Sequence, residues 1–155
     1  AAERVRVRLF FPQEAKATLV EEERDVPRRS LLADSVRGVL GELARRGGTG
    51  TVPALPSDVE VRHVYLDAFG ILYLDFGERL RAGVAGNTSR AELAISAIVL
   101  TLTTNFSEVK RVQFLADGQE LTARVGTTDL RRPLQPHFPG EEPQPIVSQP
   151  RAEQS

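Results

Sequence analysis

Between Ala91 and Phe106 the chain is apolar on nearly every face a helix can offer. Ile95, Ile98, Val99, Leu102 and Phe106 fall on one stripe, while Ala91, Leu93, Ala94, Ala97 and Leu100 fill the flanks. A surface helix needs only one such stripe, so a helix that is greasy most of the way round is buried on more than one side. Two arrangements satisfy that demand: the helix is the central element of the fold, or a partner covers one flank. Ser89 with Glu92 three residues on has the spacing of a capping box, in which each side chain satisfies a free backbone N–H at the helix start.

The segments around this helix alternate between two periods. Arg4-Val5-Arg6-Val7-Arg8-Leu9 repeats every second residue, as a strand buried on one face does. Thr18-Leu19-Val20 running into Glu21-Glu22-Glu23-Arg24 suits its antiparallel neighbour, with arginines facing glutamates across the sheet; a solvated strand face fits the same letters. From Ser30 the period lengthens, and Leu32, Val36, Val39, Leu40 and Leu43 predict an amphipathic helix. Arg45 and Arg46 are expected in its last turn and Gly47-Gly48 at its stop. Glu60 to Leu66 and Ile71 to Phe76, joined by Asp67-Ala68-Phe69-Gly70, predict a β-hairpin. Leu72, Leu74 and Phe76 share one face of its second arm, Tyr73 and Asp75 the other, and the alternation slips around His63, as at a bulge. Val112 to Ala116 and Leu121 to Val125 flank Asp117-Gly118, a turn pair that accepts positive φ at both positions. The predicted order is β-β-α-β-β-α-β-β, an α+β fold: an antiparallel or mixed β-sheet with two helices packed on one face.

A chain of 155 residues fits one domain, expected over 1–130. Within it the Gly/Pro-punctuated stretch from Gly47 to Pro56 is an interruption. A C-terminal extension, 131–155, carries Pro133, Pro136, Pro139, Pro143, Pro145 and Pro150. Proline fixes φ and donates no hydrogen bond, so this extension is expected to be flexible; the competing expectation pins Pro136-His137-Phe138-Pro139 or Pro145-Ile146-Val147 against the body. The net charge of -1 argues against a strongly basic nucleic-acid binder. With Cys 0, the segment has no disulfide, thiolate ligand or thiol nucleophile. No apolar run approaches the roughly 18 residues of a membrane helix. The chain opens on Ala1-Ala2-Glu3 without a methionine, which fits a trimmed or processed product whose upstream hydrophobic segment has been removed.

Chemistry-bearing residues do not converge in the sequence. His63 lies in a strand and His137 in the proline-rich extension, neither with carboxylate or histidine neighbours at ligand spacing. Asp67 and Asp75 flank a hairpin, and Asp75 with Glu78 forms a nominal carboxylate pair that is better explained by turn and strand-end structure. Glu21-Glu22-Glu23 alternates between faces, so its members cannot share an ion; a charged edge against aggregation is the expected role. Gly47-Gly48-Thr49-Gly50 lacks the Lys-Ser/Thr of a P-loop, and Gly83-Val84-Ala85-Gly86 has the spacing of a KH clamp without its helical or basic surroundings. Asn87-Thr88-Ser89 and Asn105-Phe106-Ser107 match the glycosylation pattern at helix ends. No catalytic, cofactor-binding or metal residue is therefore predicted, and a binding or assembly module is the expectation.

The run from Val64 through Asp67-Ala68-Phe69-Gly70 to Phe76 resembles the hairpin of the GerMN domain family of spore germination proteins. The helix with Ile98-Val99-Leu100-Thr101-Leu102-Thr103 resembles that family's second helix, and Val109 to Gly118 its next strand and turn. Leu31-Leu32 and Leu55-Pro56 match the usual layout, and the similarity covers Val5 to Leu134. The resemblance implies an α+β module of bacterial proteins outside the cytoplasmic membrane, commonly behind an N-terminal anchor. It also implies likeness to the ring-building motifs of sporulation complexes, occurrence alongside cell-wall amidases, and no agreed catalytic residues. The expected function is a non-enzymatic, extracytoplasmic cell-envelope module for protein association or assembly, with protein partners or a second copy of itself. An accessory or enzyme acting on peptidoglycan, such as a partner of an amidase, is the alternative.

Overall fold

The structure, a computed structural model, describes residues 3–45, 47–56, 59–78, 89–122 and 124–137, with the backbone alone at Ser89. Its elements are β1 (Arg4–Pro12), β2 (Leu19–Pro27), α1 (Leu32–Leu43), β3 (His63–Leu66), β4 (Ile71–Asp75), α2 (Ser89–Asn105), β5 (Arg111–Ala116), β6 (Gln119–Glu120), β7 (Arg124–Val125) and β8 (Thr128–Asp129). The expected α+β order runs through β6, and a small hairpin follows it. β1 and β2 form an antiparallel ribbon, β3-β4-β5-β6 a mixed sheet, and β7-β8 a second ribbon. In the mixed sheet only β4 and β5 are parallel, and α2 is the crossover that parallel neighbours require.

The helix that is apolar all round is the central element. Ile95, Ile98, Val99 and Leu102 pack in one core with Leu9 and Phe11 of β1 and with Leu74 and Phe114 of the mixed sheet. Leu72 lies beside Val112 and Leu74 beside Phe114, so one face of the sheet is a continuous apolar layer, extended by the Phe76 ring stacked 6.0 Å from that of Phe114. The chain itself covers α2 on both flanks, and its burial needs no partner.

The helix also completes the edge of β1. The Thr101 hydroxyl accepts from the Phe10 N–H (3.1 Å), while Asn105 accepts from the Arg8 N–H (3.0 Å) and donates to the Arg8 carbonyl (2.7 Å). Polar side chains on α2 thus stand where a third strand would otherwise be needed. The Asn105 amide also donates to the Thr101 carbonyl at 2.7 Å, so the nitrogen that a glycan would modify is engaged on both sides.

Several local expectations change. α1 stops at Leu43 with Ala44 as its C-cap, so Arg45 falls beyond the last turn; the Leu43 carbonyl accepts instead from the Ala54 N–H at 2.8 Å. β3 starts at His63, not at Glu60, because Arg37 of α1 donates to the Val61 and Arg62 carbonyls (3.3 and 2.8 Å) and takes them out of any ladder. The slip seen in the sequence is present there: the Arg62 N–H donates to the Asp75 carbonyl although His63 is the register partner of Asp75. The strand expected over Leu121 to Val125 is split. β6 ends at Glu120, Val125 pairs with Thr128, and further along β5 it is Leu134 that pairs with Val112 (3.0 and 2.8 Å). The Ser89 side chain of the expected capping box lies outside the described residues; the Glu92 carboxylate accepts from the Thr127 N–H and from the hydroxyls of Thr127 and Thr128, tying α2 to the β7–β8 turn. The Asp117-Gly118 turn is as expected, with φ of 57° and 80°.

Candidate functional site

Among the described residues the two histidines stay apart from each other. His63 is exposed on the edge strand β3, whereas His137 is half-buried three residues past Leu134, on the β5 side of the same sheet. Among the described residues no three of His, Asp and Glu are placed to hold a metal ion.

The carboxylates singled out in the sequence are bound up in local structure. Asp67 accepts from the N–H groups of Phe69 (2.8 Å) and Ile71 (3.0 Å) and from the Tyr73 hydroxyl (3.3 Å). The Ile71 N–H is the main cause holding its carboxyl below the usual range, and burial followed by the Asp67 charge pushes the Tyr73 hydroxyl up. Buried Asp75 accepts from the Gly77 N–H at 3.0 Å, and Glu78 lies exposed just beyond β4. The Gly48 N–H donates to the Glu22 carboxylate, so the glycine loop is latched onto an anion of its own chain, not open to a phosphate. The Gly83–Gly86 and Asn87–Ser89 motifs, Arg46, and the extension from Phe138 onward lie outside the described residues.

On β1 and β2 the two faces are distinct. Outward, Arg6 pairs with Glu23 (3.1 Å) and Asp25 (3.2 Å), and Arg8 pairs with Glu21, a cross-strand ladder that holds the Glu21 carboxyl below its ordinary value. Inward, Glu22 and Glu42 flank Arg24 (3.4 and 2.9 Å), whose guanidinium lies 5.2 Å over the Phe11 ring.

Two clefts flank α1. One, of about 330 Å³, lies between Val5 and Val26 of the ribbon and Ser35 and Val39 of α1. The other, of about 410 Å³, lies between Leu40 and Ala44 of α1 and the segment from Val59 to Val61. Their polar linings are partly engaged, Arg28 with Glu3 at 3.5 Å and Arg37 with the Val61 and Arg62 carbonyls. Neither cleft brings together a nucleophile, a base and an oxyanion donor.

The β3–β4 hairpin is different. Tyr65 is 64% exposed and Phe69 85%, and the Tyr65 ring sits 6.1 Å from that of Tyr73 on the sheet face away from α2. β3 is also the terminal strand of the mixed sheet. Hydrogen-bonded pairs alternate along an antiparallel ladder, and the Asp67 backbone N–H donates to the Ile71 carbonyl (3.0 Å). Tyr65 and His63 therefore bond β4, while the backbone groups of Val64 and Leu66 point away from it. Among the described residues none pairs with them. Arg37 closes the edge at Val61 and Arg62 and leaves the stretch beyond open.

The fold has counterparts. No curated protein matches the chain. Among solved structures it is similar to the tandem GerMN domains of the sporulation protein GerM from Bacillus subtilis, at 21% identity and a TM-score of 0.63 over 88% of this chain. It spans 46% of the length of that tandem chain. It is similar also to the first GerMN domain of the same protein (21% identity, TM-score 0.61, 84% of this chain and 97% of that one). A third likeness is to a candidate lipoprotein of Clostridium perfringens (15% identity, TM-score 0.50, 85% and 87%). At such identities these likenesses speak for the fold. A family model described as sporulation and spore germination matches residues 8–122, most of the chain. The chain therefore belongs to the Germane family of sporulation and spore germination.

Proposed function

We propose that this protein is a non-enzymatic module of the cell envelope, working outside the cytoplasmic membrane by protein–protein association in sporulation, germination or a related cell-wall process. The observation that carries the reading is the β3–β4 hairpin, where Tyr65 and Phe69 stand in solvent beside an open strand edge while the apolar residues of α2 are buried within the chain. Exposed aromatics beside unpaired backbone are a common form of recognition surface. The engagement of Asp67 and Asp75 with backbone N–H groups supports a scaffold over a reactive cleft. The likeness to a candidate lipoprotein supports the extracytoplasmic setting. No helix of the described residues is long and apolar enough to cross a membrane, and attachment through an anchor outside these residues is part of the reading.

The test has two arms. Sedimentation over a concentration series, with and without envelope extract, is expected to show association that Phe69→Ala with Tyr65→Ala weakens. Incubation with purified sacculi is expected to release no soluble fragments. Release of fragments by the domain alone would replace this reading with the peptidoglycan one, and strict monomer behaviour without any captured envelope partner would remove it.

A further inference from the structure

We infer that the open edge of β3 pairs with the β3 edge of a second copy, giving an antiparallel two-fold dimer whose mixed sheets join into one. This rests on the association reading above and names its surface and partner.

Symmetry limits how two such edges can meet. A two-fold axis across an antiparallel strand pair stands normal to the sheet, so facing residues share a face and have numbers of equal parity. The open backbone groups belong to Val64 and Leu66, and an axis at Tyr65 brings Val64 opposite the partner's Leu66 and Leu66 opposite the partner's Val64. Both open residues then exchange hydrogen bonds reciprocally. An axis at Val64 would need Arg62, whose carbonyl is engaged by Arg37 and whose N–H is engaged by Asp75. An axis at Leu66 would need Ala68, which lies in the turn.

The side chains agree with the axis that the backbone selects. Tyr65 meets the partner's Tyr65 as a non-hydrogen-bonded pair, the closer of the two pair types. The Tyr65 ring already lies 6.1 Å from Tyr73, so the join is a row of four tyrosines on one sheet face. His63 falls opposite the partner's Asp67, a cation-capable ring facing a carboxylate that is held ionised by backbone N–H groups. On the other face Val64 and Leu66, half-buried against the core, meet their own kind. The segment His63-Val64-Tyr65-Leu66-Asp67 is thus complementary to itself when reversed. So short an edge belongs to the small, transient class of interfaces, below about 1,200 Å².

The chain has no cysteine, so a single introduced thiol can form disulfides only between copies. Tyr65→Cys places two thiols across the axis, and Gln119→Cys on exposed β6 is the collisional control. Under mild oxidation Tyr65→Cys is expected to form the covalent dimer at least about tenfold faster than the control. In sedimentation of the otherwise unchanged chain up to about 1 mM, Tyr65→Lys is expected to weaken the dimer at least about tenfold, because like charges meet at the axis. Equal cross-linking rates for the two cysteine variants would overturn the inference. A dimer indifferent to Tyr65→Lys would also overturn it, leaving self-association through another surface. A monomer throughout the series would overturn it while leaving association with a different protein in place.

Discussion

The β1–β2 ribbon and the short β3–β4 hairpin manage the same structural problem in opposite ways. A strand at the end of a ribbon or sheet offers a backbone edge and a solvent face, and both invite pairing with other chains. In the β1–β2 ribbon the edge of β1 is closed by Thr101 and Asn105 of α2, and the outward face is a ladder of Arg6 and Arg8 with Glu21, Glu23 and Asp25. Among the described residues the β3–β4 hairpin has neither device: its edge is open at Val64 and Leu66, and its outward face carries tyrosines. Secondary structure alone does not make a strand an interface. What decides is whether the rest of the chain supplies partners for its edge.

The contrast can be broken most forcefully at two phenylalanines. Phe11 in the ribbon is fully buried and Phe69 at the hairpin tip is 85% exposed. Phe11→Ala is expected to cost about 3–5 kcal/mol in urea unfolding, and Phe69→Ala to stay within about 0.5 kcal/mol of the unchanged chain. Comparable losses at the two sites would mean that the hairpin tip is packed. Thr101→Val tests the closed edge itself: the shape is kept but the Phe10 N–H loses its acceptor, for an expected loss of about 1–3 kcal/mol. Asp67→Ala is expected to speed hydrogen exchange at the Phe69 and Ile71 amides while those of Arg8 and Phe10 are unchanged.

Acid sharpens the comparison further. Asp129 is held at about 2, chiefly by the side-chain hydrogen bonds of Arg131, and Glu21 and Asp67 are shifted in the same direction. A carboxyl whose value is lower folded than unfolded stabilises the fold above its unfolded value, near 4, and that stability is lost as pH falls toward the folded value. Melting temperature is expected to drop between about pH 4 and pH 2, with a shallower drop in Asp129→Asn. A drop of unchanged steepness in that variant would remove Asp129 from the account. The smallest effect is expected from salt: raising it should loosen the exposed Arg8–Glu21 pair slightly and leave Phe10 protected, because only the former is solvent-screened.

Much of this fold was legible in the letters. The period-two run at Arg4, the stripe from Leu32 to Leu43 and the Asp117-Gly118 turn are local signals, and local geometry answers them. The pairing of arginines with glutamates followed once β1 and β2 were neighbours. What the letters did not carry is long-range competition for hydrogen bonds. Arg37 shortens β3, the Ala54 N–H takes the last carbonyl of α1, and Glu92 holds Thr127 and Thr128, each across a separation that no periodicity records. The same limit hid the open edge, since a strand's rank in a sheet is a property of topology. One signal was available: Phe69, a large apolar residue in a turn between Asp67 and Gly70, where small or polar residues are usual.

Amide hydrogen exchange at Val64 and Leu66, followed across protein concentration, reads the state of the β3 edge itself. Rapid exchange is expected in dilute solution, with protection that grows with concentration, while Arg8 and Phe10 stay protected throughout. Protection at Val64 and Leu66 that does not change with concentration, whether high or absent, would contradict pairing through that edge.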